Sequence, residues 1–494
     1  MRTLESSHLA TTLRMRRLFA QPADETPLAW RTVGAIQLFS VASTAATTAL
    51  FSIAYFMARH FDRELSEHAL ALRAGVLTSI KPAASAVSAF AWGAMGDRFG
   101  FARIIALSGA AHAAATVAFG FSASFGAACA LRAVQGCFDG MVVMQKPALA
   151  LVSDGTNAAR AFATTGVAYG TASAFAPALS ALLAEPCTSW ARFERDAASC
   201  PKLLARYPFF LSNVWILALA LPALVSFWRG WLDVDDADED VVVELELLSV
   251  NDDDSAGSGA KDGASKCVEN QKIVENQDVP WFRDVNVKTA IASQVGCTFV
   301  VLTGAETTPL WMATSIQSGG LGWTSVDIGL FGTVMGFTIL FFQIFLFTKL
   351  VRRFGIVTLL PFALAINAVV FPLHPIAHEL AKRSKSLAWA VVIILGFARG
   401  MSGPIIMGGS SLILNNASPR RALGAVNGFS GTFSNAGRAI APLLGGALVA
   451  MMVSMKPSTP GRTVWPFMVI SLGFLSLTLY SRKLSLELNK PRAR

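Results

Sequence analysis

Charge is what this chain has least of. Asp, Glu, Lys and Arg make up 15% of its 494 residues, where soluble proteins carry roughly 25%. So few charges do not cover the surface of a soluble globular protein of this length. Catalytic signatures are lacking as well. No nucleophile–histidine–acid arrangement or dinucleotide fingerprint is present, and Gly319-Gly320-Leu321-Gly322 lacks the lysine a phosphate loop needs. No Cys/His spacing fits a zinc site. His374 and His378 stand four apart beside Glu379, but Pro375 disturbs the helix between them. Neither enzyme activity, metal nor cofactor is expected. The cysteines number six. Cys129, Cys137 and Cys297 fall in apolar stretches, where a small buried thiol is the ordinary reading. Cys267 lies in a hydrophilic stretch. Cys187 and Cys200 share one loop, where a disulfide is one expectation and two free thiols the other.

What is there is hydrophobic length. Apolar residues make up 53% of the chain, and runs of about 20 or more, enough to cross a bilayer, recur throughout. They predict spans near 33–57, 71–95, 102–123, 126–149, 161–184 and 208–230, then near 286–312, 326–349, 355–376, 387–413, 423–451 and 464–481. This is an all-α, multi-pass membrane protein of twelve helices in two sets of six. The expected units are an N-terminal segment 1–32, a six-helix half 33–230, a linker 231–285, a second half 286–481 and a tail 482–494. The linker is acidic early, at Asp233, Asp235, Asp236, Asp238, Glu239 and Asp240, then rich in Gly, Ser and Asn. Its composition cannot form a packed core. The first span is too long and too weakly flanked for a cleaved signal peptide.

The net charge of +9 does not point to nucleic acid, because it collects on one side of the alternating loops. Arg2, Arg14, Arg16, Arg17 and Arg31, then Arg98, Arg103, Arg160, Arg352, Arg353, Arg420, Arg421, Arg482 and Lys483 share that side. Positive loops stay in the cytoplasm, so both termini and the linker are expected there, in a plasma or an internal membrane. An alternative reading of the Arg-rich N-terminus is a transit peptide. The sequon Asn416-Ala417-Ser418 falls on the cytoplasmic side and is expected to stay unmodified.

Two halves are also visible as a repeat. Ala174-Phe175-Ala176-Pro177-Ala178-Leu179 returns as Ala439-Ile440-Ala441-Pro442-Leu443-Leu444, and Arg132-x-x-x-Gly136 as Arg399-x-x-x-Gly403. This pairs the fourth span with the tenth and the fifth with the eleventh. Ionisable residues inside spans are costly and mark function. They are Lys81, Arg132, Asp139, Lys146, Glu306, Arg399 and Arg438. Arg132, Asp139 and Lys146 are spaced to share one face of one helix. Basic groups outnumber acids, and a buried excess needs a compensating partner, which an anionic cargo supplies. Lys81, Lys146, Arg399 and Arg438 are therefore the candidates for substrate; bracing or snorkelling of some of them is the other reading. Asp139 and Glu306 are the carboxyls placed to carry a proton.

Residues 93–103 read Gly93-Ala94-Met95-Gly96-Asp97-Arg98-Phe99-Gly100-Phe101-Ala102-Arg103. The pattern G-x-[LM]-[AG]-D-R-x-G-x-x-R resembles the loop signature of the major facilitator superfamily. Gly93 and Gly100 suit a tight turn and close helix approach, and Asp97 with Arg98 and Arg103 suits a gating latch. Arg132, Gln135 and Gly136 resemble that superfamily's fourth-helix motif, whose arginine the family ties to proton coupling. Further matches are Tyr55-Phe56-Met57, Trp92-Gly93, Tyr207-Pro208-Phe209-Phe210-Leu211, Leu310-Trp311, Asp327-Ile328-Gly329, Ile413-Leu414-Asn415-Asn416 and Arg438-x-x-x-Pro442. Together they resemble the zinc-induced-facilitator-like branch, related to multidrug and tetracycline-type proton antiporters.

Departures stand beside the matches. The fifth-helix antiporter motif, ending Gly-Pro-x-x-Gly-Gly, reads Ala176-Pro177-Ala178-Leu179-Ser180-Ala181, and the branch's cysteine and histidine motifs are absent. Lys81 stands one turn before Ser85, where the family has an arginine. The resemblance implies a monomeric transporter working by alternating access in a lipid bilayer. The expected activity is proton-coupled movement of a small organic anion, anionic chelate or amphipathic solute. An uncoupled facilitator of a neutral solute such as a sugar, and a transporter-shaped receptor, are the alternatives.

Overall fold

The computed structural model describes residues 26–153, 157–190, 199–234, 280–419 and 422–490. Most of the linker and both chain ends lie outside them. Helix crosses the bundle twelve times. The first passage is Trp30–Thr48 with Leu50–Phe61, the second Glu67–Phe99 and the third Phe101–Gly120. The fourth is Phe125–Cys137 with Met141–Leu151, the fifth Ala158–Leu182, and the sixth Phe210–Val214 with Leu217–Trp228. The second set runs Val285–Ala313, Ser325–Phe354, Ile356–Ala381, Lys385–Ala417, Leu423–Ser454 and Trp465–Ser481. Each expected span is met by one of these helices, with ends shifted by a few residues.

Among the described residues, eight helices are long and apolar enough to cross a membrane, nine with the bent first passage. The twelfth, Trp465–Ser481, is apolar but shorter. The second and fifth passages fall short in apolar character for a physical reason. Glu67–Phe99 carries charges, and Ala158–Leu182 is rich in Ala, Gly, Ser and Thr. Both pack against the opposite half, where small residues let helices approach closely. Local signals set the ends. Ser66 and Ser124 cap the second and fourth passages, and Thr324 with Asp327 forms a capping box on the eighth. Gly100, at φ 90°, turns the chain between second and third passages.

One end of the bundle carries the basic loops with Arg98, Arg103, Arg352 and Arg353. The other carries the bonded pair Cys187–Cys200. Beside the cysteines Glu185 holds a left-handed backbone (φ 48°) and its N–H donates to Pro208 O at 2.9 Å. At the disulfide end the two halves share one apolar core, in which Leu50, Ile53, Met57, Ala71 and Leu77 join Trp311, Phe331 and Leu448. At the basic end the first half has a core of its own, around Val33, Ile36, Phe39, Ile105 and Leu149. The halves are therefore joined at the disulfide end and separate at the basic end. Asn416 of the sequon is buried, and its Nδ2 donates to Leu488 O at 2.8 Å.

Candidate functional site

The signature loop closes the second passage at the basic end. Gly100 does the turning, and its N–H donates to Gly96 O at 3.0 Å. Gly93 is not a close-approach point: a Cβ there would meet nothing within 4 Å, whereas one at Gly96 would meet the Phe101 ring at 3.2 Å. Arg98 is exposed and lies over Phe99, 5.2 Å from its centroid, and Arg103 is exposed too. The Asp97 side chain lies outside the described residues.

The charged residues of the first half do not form a stripe on one continuous helix. The fourth passage is interrupted at Phe138–Gly140, between Arg132 and Lys146. Asp139 sits in the interruption. Its Oδ2 lies 2.7 Å from Lys81 Nζ and its Oδ1 accepts from Ser43 Oγ at 2.6 Å. Lys81 also donates to Thr47 Oγ1 at 2.6 Å and to Ser43 O at 3.4 Å. Gly136 makes this possible, since a Cβ on it would lie 2.2 Å from Lys81 O. Arg132 is buried over the Phe119 ring at 5.3 Å, bonded to Gln135 Oε1 and donating to Ala46 O at 3.3 Å. His112 of the third passage bonds Gln135 O through Nδ1 and leaves Nε2 buried without a partner.

Arg399 occupies the matching place in the second half. It lies over Phe371 at 4.4 Å and donates to Thr308 Oγ1 at 2.9 Å and Gly304 O at 3.4 Å. His374 Nε2 stands 3.3 Å away, with the imidazole between the rings of Phe371 and Phe467. His378 turns elsewhere, bonding Gly320 O at 2.8 Å. Among the described residues no three His, Cys, Asp or Glu side chains gather as a metal site.

Four groups remain on the path between the halves. Lys146, inside the fourth passage, is exposed, and its charged neighbour is Arg438 of the eleventh. Arg438 keeps its Nε buried without a hydrogen-bond partner and makes no ion pair among the described residues. Tyr169 of the fifth passage, 42% exposed, lies close enough to Arg438 and Glu306 to interact electrostatically with both. Glu306 is buried (5% exposed), beside the hydroxyl of Thr78 from the opposite half and in the field of Arg132. Lys146 and Arg438 thus act on each other electrostatically across the halves, Lys81 joins Asp139, and Arg399 is enclosed in its own half. A Cβ on Gly428 or Gly431, toward the basic end of the eleventh passage, would meet nothing within 4 Å.

The opposite end is shut by two seams. In one, Cβ atoms at Gly75 and Gly446 would each lie 2.7 Å from a backbone oxygen, of Pro442 and Ala71. His68 Nδ1 bonds Ala450 O at 2.9 Å beside it. In the other, the fifth passage meets the eighth. Cβ atoms at Gly329 and Gly336 would lie 2.8 Å from Pro177 O and 2.2 Å from Ala174 N. The glycines missing from the fifth-helix motif are met by glycines on the facing helix. The eighth passage turns into a π-helix at Gln343–Phe347, where Gln343 covers Gly166. Sequence reading missed Ser43, Thr47, Thr78 and Tyr169, since hydroxyl side chains carry no distinguishing signal inside apolar helices.

The family model of the Major Facilitator Superfamily matches residues 37–256 and 295–491. A probable peptide/nitrate transporter of Arabidopsis thaliana is 25% identical over 88% of this chain and 88% of its own length. The Arabidopsis thaliana protein ZINC INDUCED FACILITATOR-LIKE 1 is 24% identical over 81% of this chain and 80% of its own. Among solved structures, a D-xylose-proton symporter superposes with a TM-score of 0.64 at 12% identity, covering 94% of this chain and all of that one (100%).

Proposed function

The chain belongs to the Major Facilitator Superfamily, and we propose that it is a proton-coupled transporter of a small anionic solute, a carboxylate or an anionic chelate. One observation carries the reading. Lys146 and Arg438, from opposite halves, lie within electrostatic reach of each other, and Arg438, in the field of Asp139, makes no direct ion pair among the described residues. Two like charges in each other's field inside the membrane are unfavourable without a counter-ion. An anion entering between them supplies it and bridges the halves, which favours closure around the cargo and exchange of access between the two ends. The probable peptide/nitrate transporter among the relatives is in keeping with an anionic cargo.

Glu306 is the proton carrier in this reading. It lies at the seam between the halves, next to Thr78, so opening and closing alters its surroundings. Arg132 tunes it from the first half. Lys81 and Arg399, already partnered, hold helices rather than cargo. Positive loops point the basic end to the cytoplasm, so the open side faces inward.

The test uses purified protein in proteoliposomes, with exchange and net flux of candidate anions measured separately at several pH values. Glu306→Gln is expected to lose pH-gradient-driven net flux and keep exchange. Arg438→Gln is expected to weaken anion binding by about 1.5–3 kcal/mol, the range for hydrogen bonds to charged groups. Intact pH-driven flux in Glu306→Gln removes the carrier assignment. Transport of neutral cargo alone, such as a sugar, removes the anion.

A further inference from the structure

Lys81 Nζ sits in a cage of oxygens that exceeds what a simple ion pair requires. Asp139 Oδ2 lies at 2.7 Å, Thr47 Oγ1 at 2.6 Å and Ser43 O at 3.4 Å. The side chains of Lys81 and Asp139 are 3% and 2% exposed. The oxygens come from two discontinuous helices. Thr47 and Ser43 stand just before the 40° bend of the first passage, and Asp139 lies in the interruption of the fourth. Ser43 Oγ holds the other carboxylate oxygen at 2.6 Å, fixing its orientation. The other charged or titratable groups acting on Lys81 and Asp139 are Arg132 on the fourth passage, His112 on the third and Arg438 on the eleventh. Among the described residues, Asp139 is thus the single carboxylate beside the ammonium.

One carboxylate, one hydroxyl and one main-chain carbonyl form an all-oxygen donor set suited to a hard cation. Broken helices are where transporters build such sites. We propose that this cage is a monovalent-cation site and that the Lys81 ammonium is its resident, tethered cation. Removing that side chain opens the cage to a free alkali cation. The native protein therefore needs no sodium or potassium at this place. The proposal rests on the geometry around Lys81 and not on the anionic cargo, so it stands or fails separately from that reading.

The test compares thermal unfolding of the purified full-length chain in sodium, lithium, potassium and choline chloride at constant ionic strength. The proteins are the wild type, Lys81→Ala and Lys81→Ala/Asp139→Asn. Lys81→Ala is expected to melt lower than wild type in choline. It is expected to be raised, saturably, by at least one alkali cation, with half-saturation at least tenfold lower than in the double variant. Wild type is expected to be indifferent to the choice of cation. If Lys81→Ala cannot be isolated in choline, recovery of monodisperse protein in one alkali salt supports the cage. Failure in every salt while the double variant is recovered overturns it. A folded Lys81→Ala indifferent to all four salts, or a wild type that responds equally, overturns it as well and leaves Lys81 as a brace.

Discussion

Arg132 and Arg399 stand at equivalent points of the two halves, each laid over a phenylalanine from the passage before it, Phe119 at 5.3 Å and Phe371 at 4.4 Å. Each also donates to a main-chain carbonyl of its half's first helix, Ala46 O or Gly304 O. The surroundings then diverge. Arg399 is closed in by Thr308 and His374, whereas the field of Arg132 reaches Glu306 in the other half.

That divergence gives the first prediction. Lysine keeps the charge but loses the planar fork that stacks and donates in several directions. Arg399→Lys is expected to lower stability by about 1.5–3 kcal/mol while leaving the pH dependence of flux in place. Arg132→Lys is expected to lower stability similarly and also to shift that pH dependence. Thermal unfolding in detergent with flux measured across pH reads both. A shift of equal size in Arg399→Lys would remove the distinction.

Much of this arrangement was legible in the residues. Apolar run lengths located the twelve passages, and the repeat of Arg132-x-x-x-Gly136 at Arg399 anticipated the equivalence of the fourth and tenth helices. The partnering of the charges was not legible. Even spacing suggested one helical face for Arg132, Asp139 and Lys146, but Asp139 sits in a break, because its carboxylate is held by Lys81 and Ser43. Periodicity shows which residues share a helix face; it does not reveal an interruption stabilised by another helix. The fifth-helix motif hid its complement for a similar reason. Close packing needs small residues on either helix of a pair, and here the glycines are on the eighth.

The seam at Gly336 is expected to control access. A side chain there meets Ala174 main chain at 2.2 Å, so Gly336→Val cannot be absorbed by a rotamer change. Overpacking of this kind costs about 1–3 kcal/mol, enough to change a two-state ratio about 5- to 150-fold. The variant should favour opening at the disulfide end. A cysteine at Ala174, probed with a membrane-impermeant maleimide, should react faster in the Gly336→Val background. Equal rates would mean the seam does not gate.

At the disulfide end, burial raises the Glu185 carboxyl above its usual range, against the opposing fields of Arg59 and Arg63. A carboxyl raised on folding adds most stability when protonated, below its unfolded pKa. That contribution is lost as pH rises through the folded value. Glu185→Gln stays neutral throughout, so it should melt above wild type at neutral pH. The difference should shrink below about pH 4, near the unfolded carboxyl pKa. Its approach to His60, at 3.9 Å, is long for an ion pair and should not reverse the sign. Thermal melts across pH decide it.

Asp97 stands in the last turn of the second passage, where the helix dipole disfavours a carboxylate. A charge retained there calls for a partner in some state of the transport cycle. Asp97→Asn should leave melting unchanged or slightly higher, while flux falls by about tenfold or more, an energy of roughly 1.4 kcal/mol. Wild-type flux in a well-folded variant would reduce the loop to a turn made by Gly100.

Sidedness is the premise behind the inward-facing reading, and it can be checked directly. The loop holding Ser384 joins the ninth and tenth passages at the disulfide end. Asn251 belongs to the linker between the halves, whose flanking helices end and begin at the basic end. Three crossings, the seventh to the ninth, separate these two points, and an odd number puts them on opposite sides. The positive loops at the same end make the cytoplasm the expected side of the linker. Epitope tags inserted at the two positions, probed in intact and permeabilised cells, should be accessible from outside at Ser384 and only after permeabilisation at Asn251. In a vesicle-resident protein the same tags should show the same opposition under protease protection. Both tags on one side would break the twelve-passage path, while reversed accessibility would keep the path and turn the open side outward, so that Lys146 and Arg438 would receive their anion from the other compartment.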